Sequence, residues 1–145
     1  MVETMEPKMG RFSVEVELAN HEDMFRAKVG LISPEDVRRV RVRGVVDSGA
    51  TRLVISGAVA QQLGLEAISS AKVRYADGRT AERTIVKDIH LSYGGRESVF
   101  SAIVEPARES ILIGAIVLEE LDFLVDCIGQ QLVPRDPKQI VSEAE

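Results

Sequence analysis

The stretch that most limits what this chain can fold into is Val45-Val46-Asp47-Ser48-Gly49-Ala50-Thr51. A carboxylate closes an apolar, β-branched run and is followed at once by a hydroxyl, a glycine, an alanine and a second hydroxyl. Val45 and Val46 favour a buried strand, and Gly49 permits a sharp turn with close backbone approach. Asp47 is thereby carried into a partly dry site among N–H and O–H groups. There a carboxyl group acquires a tuned pKa and can do acid/base work. Taken alone, the tripeptide is more simply a plain Asp-Ser-Gly turn in which Asp47 caps backbone N–H groups. The flanking sequence has to decide.

Residues 1–10 read as a polar leader without an apolar core, so no signal peptide is expected. Phe12, Val14, Val16 and Leu18 then alternate with polar residues, which predicts a strand with one wet face. Asn20-His21-Glu22-Asp23 reads as a turn, and Phe25 to Ile32 as a second strand forming a hairpin with the first. Val37, Val40, Val42, Val45 and Val46 lead up to Asp47, interleaved with Arg38, Arg39, Arg41 and Arg43. That basic strip is read first as a solvated strand face. A short strand, Leu53-Val54-Ile55, follows. Ser56 is placed to cap a short helix from Gly57 to Leu63 that Gly64 ends.

Lys72–Ala76 and Thr80–Val86 are extended segments joined through Asp77-Gly78, a strong hairpin signal. Ile89–Tyr93 and Ser98–Val104 form a second hairpin across Gly94-Gly95. Ile111-Leu112-Ile113 is a short buried strand stopped by Gly114, and Ala115 to Leu121 a short helix. Phe123-Leu124-Val125 and Gln131-Leu132-Val133 are expected to finish the sheet, before a polar tail over 136–145. Short strands at regular spacing with two short helices make the chain mainly β. With aromatics at only 4% of 145 residues, a small closed or nearly closed barrel built from Val, Ile, Leu and Ala is the expected core.

Charge and cysteine content narrow the function. The net charge of −5 argues against a general nucleic-acid binder. The single cysteine, Cys127, excludes an intrachain disulfide and a Cys-rich metal site, fits a reducing, cytoplasmic setting, and is read as a buried structural thiol. No run is long and apolar enough to span a bilayer. His21 and His90 have no adjacent Ser or Cys that would make a triad, and no His/Asp/Glu cluster has metal-ligand spacing.

The order hairpin, strand, Asp-Ser-Gly-Ala-Thr, helix, Asp-Gly hairpin, second hairpin, apolar-apolar-Gly, helix resembles the retropepsin-like aspartic proteases. The resemblance spans residues 11–135 and looks closest to bacterial and archaeal single-lobe members. It rests on Val45 to Thr51, on Ala76-Asp77-Gly78, and on Ile111-Leu112-Ile113-Gly114 with the helix after it. It implies an acid-protease lobe that works as a homodimer without cofactor or metal, each chain giving one Asp, on an extended peptide. Asp47 would be the catalytic carboxylate, with Ser48, Gly49, Ala50 and Thr51 supporting the catalytic loop. Ser48 would bond across the dimer axis, and Gly49 would offer its N–H to the carboxylate. Ala76, Asp77 and Gly78 would form a flap tip over substrate, and Ile113 and Gly114 would brace the loop from beneath.

The sequence also admits rivals. A dimer of the same fold can hold a peptide or protein without cutting it. The arginines at 38, 39, 41 and 43 raise the option of nucleic-acid association, which the acidic balance disfavours and which salt-sensitive binding would reveal.

Overall fold

The computed structural model describes residues 11–144; the expected leader, residues 1–10, lies outside them. β1 (Arg11–Asn20) runs antiparallel to β2 (Arg39–Asp47), in a register that sets Arg11 opposite Asp47 and Val16 opposite Val42. Three short or long strands complete one side: β3 (Val54–Ser56), β6 (Arg96–Glu105) and β7 (Ile111–Ile113). β7 lies between β2 and β3, parallel to β2 and antiparallel to β3. β6 pairs with β3 and with β5 (Thr80–Tyr93), and β5 pairs back onto β1. The ring β1-β2-β7-β3-β6-β5 is therefore closed, and the mainly β, small-barrel expectation holds. Among the described residues β4 (Ala67–Arg74) pairs with β5 alone, its other edge open.

Alternation fills the barrel. Along β2 the odd arginines 39, 41 and 43 are exposed while Val46 is fully buried, as a half-wet strand requires. The interior is aliphatic: Leu18, Val46, Ile55, Leu91, Ile111 and Ile113 are all at most 1% exposed. The α2 helix (Gly57–Leu63) closes one end, begun by Ser56 Oγ accepting from Val59 N–H (3.0 Å) and stopped by Gly64 in the left-handed region. The α3 helix (Ala115–Leu121) follows β7 directly and buries Val117, Leu118 and Leu121.

Several expectations are corrected. Phe25 to Ile32 is not a strand and makes no hairpin with β1; residues 21–28 form the α1 helix (His21–Lys28). The signal read as a turn is a helix start. Asn20 Oδ1 accepts from Asp23 N–H (3.0 Å), Glu22 and Asp23 sit in the first turn, and Arg26 and Lys28 in the last. The described residues thus hold three short helices rather than two, besides a 3-10 turn at Pro34–Asp36. Thr80–Val86 and Ile89–Tyr93 are one strand, β5, kinked by a bulge between Val86 and Ile89 where Asp88 takes φ 63°. The final strands, β8 (Phe123–Asp126) and β9 (Gln131–Pro134), do not finish the barrel sheet but form a separate two-stranded ribbon. Cys127, in the turn of that ribbon, is half-buried rather than buried.

Asn20 is the joint of this architecture. Its side chain is 3% exposed, caps α1, and donates from Nδ2 to Leu63 O at the end of α2 (2.9 Å). Beside it Asp23, also 3% exposed, accepts from Arg38 backbone N (3.0 Å), Nε (2.8 Å) and Nη2 (3.0 Å). Arg38 holds that carboxyl below its ordinary pKa despite burial. One member of the basic strip is therefore structural. Asn20→Ala removes the cap and leaves Leu63 O without its partner. It is expected to lower unfolding free energy by about 2 kcal/mol in urea denaturation, with the slope unchanged.

Candidate active site

Asp47 ends β2, and the loop 48–53 crosses over the C-terminal end of β7 to reach β3. The start of α3 fastens that loop. Ala115 N–H donates to Ala50 O (2.8 Å) and Ile116 N–H to Thr51 O (2.9 Å), so two amides that a helix leaves unpaired are used on the loop. Gly114 makes this approach possible: a Cβ there would stand 2.5 Å from Arg52 O and 2.8 Å from Arg52 N. Ile113, 1% exposed, pairs in register with Val46. Of the two residues expected beneath the loop, Gly114 is set against its backbone, while Ile113 pairs with the strand that leads into it.

The Asp47 side chain is 15% exposed. Its Oδ1 accepts from Gly49 N–H (3.0 Å), and Ala50 N–H bonds to Asp47 O (3.0 Å). Its Oδ2 receives Arg11 Nε (3.1 Å) and Nη2 (2.6 Å). Burial pushes the carboxyl up, but Arg11 and the amides of Gly49 and Ala50 outweigh it and hold Asp47 below its ordinary range. Ser48, Gly49 and Thr51 are exposed on the same loop.

The Asp77-Gly78 hairpin joins β4 to β5 in a three-residue loop. Gly78 N–H donates to Tyr75 O (2.9 Å), Tyr75 N–H to Arg79 O (2.8 Å), and Gly78 takes φ 88°. Asp77 turns back on Arg79, with Oδ2 to Nε at 2.7 Å. At the hairpin base, Tyr75 OH donates to Glu105 Oε2 (2.5 Å), and Arg83 Nε bonds both Tyr75 OH (3.0 Å) and Glu105 Oε1 (2.9 Å). The Glu105 contact raises the Tyr75 pKa. This triplet ties the hairpin to the end of β6.

Between hairpin and loop lies a cleft of about 730 Å³. It brings together Gly49, Ala50, Thr51 and Ala76 from the expected set, with Arg11, Tyr75 and Glu105 among its other walls. Asp47, Ser48, Asp77, Gly78, Ile113 and Gly114 do not line it; Arg11 does, with its guanidinium on the Asp47 carboxylate. His21 opens α1 and His90 lies in β5 on Glu97 (2.5 Å), away from this cleft. Among the described residues no group of three or more His, Cys, Asp or Glu side chains converges, and no helix is long and apolar enough to cross a membrane.

Arg11 and the Tyr75-Arg83-Glu105 triplet carried no signal in the sequence. Arg11 is found only once the β1–β2 register is known, and α1 intervenes between those strands. Removing its guanidinium leaves burial opposed by the amides alone. Arg11→Ala is expected to raise the Asp47 pKa, read from carboxyl carbon shifts in a pH titration. The stability that ionised Asp47 lends is present above the ordinary carboxylate range and lost as pH falls through its lowered pKa; Arg11→Ala shrinks that window. An unmoved pKa would assign the hold to Gly49 and Ala50.

Residues 35–120 match the family described as "gag-polyprotein putative aspartyl protease". That span takes in the Asp47 loop, the Asp77 hairpin and Ile113-Gly114. No curated protein matches the chain. Among solved structures, the protease of simian foamy virus (mac), determined in solution, is similar with 14% identity, 74% of this chain and 91% of that one covered, and a TM-score of 0.48. With more than half of its length matched, the chain belongs to the gag-type, retropepsin-like aspartyl protease family.

Proposed function

We propose that the chain is one half of an aspartic endopeptidase, with two copies meeting about a two-fold axis and each contributing Asp47. The observation that carries this is a lone strand-end carboxylate on a braced loop, beside a cleft walled by a hairpin, in a chain of this family. One carboxylate is chemically insufficient. The reaction needs a base to take a proton from water while an acid donates one to the scissile carbonyl. A two-fold axis near Asp47 supplies both from one residue type.

Two carboxylates so placed resist double ionisation and share one proton. The ionised member takes a proton from the trapped water as its oxygen bonds to the carbonyl carbon; the other gives its proton to the carbonyl oxygen. The tetrahedral diol then collapses, the C–N bond breaks, and a proton passes to the leaving amine. No covalent enzyme intermediate forms. In the single chain Arg11 occupies Asp47; in the dimer the second carboxylate takes that place. Ser48, exposed beside Asp47, bonds across the axis, and Gly49 keeps its amide on the carboxylate. Ala76, Asp77 and Gly78 close over an extended peptide that pairs with open backbone, as strand addition does. The single cysteine supports a reducing, cytoplasmic setting.

The second reading, a dimer that binds peptide without cutting it, draws on the Arg11–Asp47 pair, which keeps the carboxylate charged. Digestion of a peptide library separates the two. The native chain is expected to cleave best at mildly acidic pH, with the rate falling as pH rises and both carboxylates ionise; Asp47→Asn is expected to lose at least about 1,000-fold. Binding without cleavage by both proteins, or a rate climbing steadily into alkali, would favour the second reading.

A further inference from the structure

The cleft is strongly basic in an otherwise acidic chain. Five cationic residues line it, Arg11, Arg52, Lys72, Arg74 and Arg108, against one acidic residue, Glu105, while the whole chain carries −5. Two of these charges are already matched. Arg11 is on Asp47 (2.6 Å), and Glu105 is held by Arg83 and Tyr75. The remaining four cations have no ion-pair partner among the described residues.

Two of the four are also fixed in place. Arg52 and Arg108 are half-buried; Arg52 Nη2 donates to Ser101 Oγ (3.2 Å), and Arg108 Nε donates to Ser110 O (2.7 Å). Both bonds go to neutral oxygens, so the guanidinium charge is oriented without being neutralised, and donors on each fork stay open. Lys72 and Arg74 lie two residues apart on β4, the strand with an open edge beside the cleft. Side chains two apart on a strand share a face, so these two cations stand side by side along the path of an added strand.

We infer that the cleft selects acidic peptides: an extended segment whose Asp or Glu side chains pair with Arg52 and Arg108 near the loop and with Lys72 and Arg74 along β4. The inference deepens the protease reading, on which the cleft's role as substrate groove rests. An acidic chain repels an acidic peptide at long range, but that repulsion is screened beyond about 8 Å at physiological salt, whereas pairs inside the cleft are screened less. The basic side chains also exclude Lys- and Arg-rich segments through like-charge contact.

The test uses the full chain carrying Asp47→Asn, so that peptides bind without turnover, and labelled peptides of one length in three versions: Glu-rich, the Gln isostere and Lys-rich. Fluorescence anisotropy is expected to show the Glu-rich peptide binding about tenfold tighter than the Gln version, the preference shrinking in high salt. The substitutions Arg52→Gln and Arg108→Gln are expected to erase most of it. Lys72→Gln with Arg74→Gln, both on exposed positions, gives the same test where the half-buried arginines matter for folding. Equal binding of Glu and Gln peptides, no peptide binding, or single-stranded RNA bound as tightly as the Glu peptide would overturn the inference. Library cleavage by the native chain keeps the two readings apart. Cleavage without acidic preference, beside equal binding, sinks the selectivity alone; acidic binding without cleavage sinks the protease alone.

Discussion

Two hydrogen bonds from the start of α3 to the loop after Asp47 set the rest of this structure in order. Ala115 and Ile116 donate to Ala50 and Thr51, across a gap that only a glycine at 114 leaves free. The loop has to leave β2, pass over β7 and enter β3, and those bonds fix its backbone on the way. With them, the backbone carrying the carboxylate is fixed by a helix whose own inner face, Val117, Leu118 and Leu121, is sunk in the core. Core packing is thereby transmitted to the position of one acid, which is what a site built on rigid elements needs.

The electrostatics around that acid pull in two directions. Burial raises its pKa, while Arg11 and the loop amides lower it further than burial raises it. A single chain accordingly presents a charged, occupied carboxylate, and the chemistry assigned to the pair belongs to an arrangement in which a second acid faces it. The same cleft that lacks Asp47 on its walls carries cations along them that have no ion-pair partner among the described residues. Positive charge close to the acid and along the cleft is thus a property of the whole groove, and Arg11 is the part of it that touches Asp47.

Much of this was legible in residue order. Val45-Val46 before Asp47, the Asp-Gly turn, Ser56 and Gly64 around α2, and Ile111-Leu112-Ile113-Gly114 each carry a local reason for what they form, and each forms it. What stayed hidden was of two kinds. Asn20-His21-Glu22-Asp23 carries both a turn and a helix cap, and the choice is made by partners of the buried Asn20 and Asp23, Leu63 O and Arg38, that lie farther along the chain. Arg11, Arg52, Tyr75, Glu105 and Arg108 become neighbours only through strand register and barrel closure, which short apolar runs do not specify. The bulge at Asp88 was equally unreadable, since its φ of 63° is imposed by pairing with β1 and β6 on either side.

The central claim is that two Asp47 carboxylates from separate chains act as one unit. Mixing native chains with Asp47→Asn chains, after exchange of subunits, tests it directly. If each active site needs both acids, cleavage per native chain falls in proportion to the native fraction, to about half in an equal mixture. Cleavage per native chain that stays constant at every mixing ratio would mean that one Asp47 suffices, and would contradict the account.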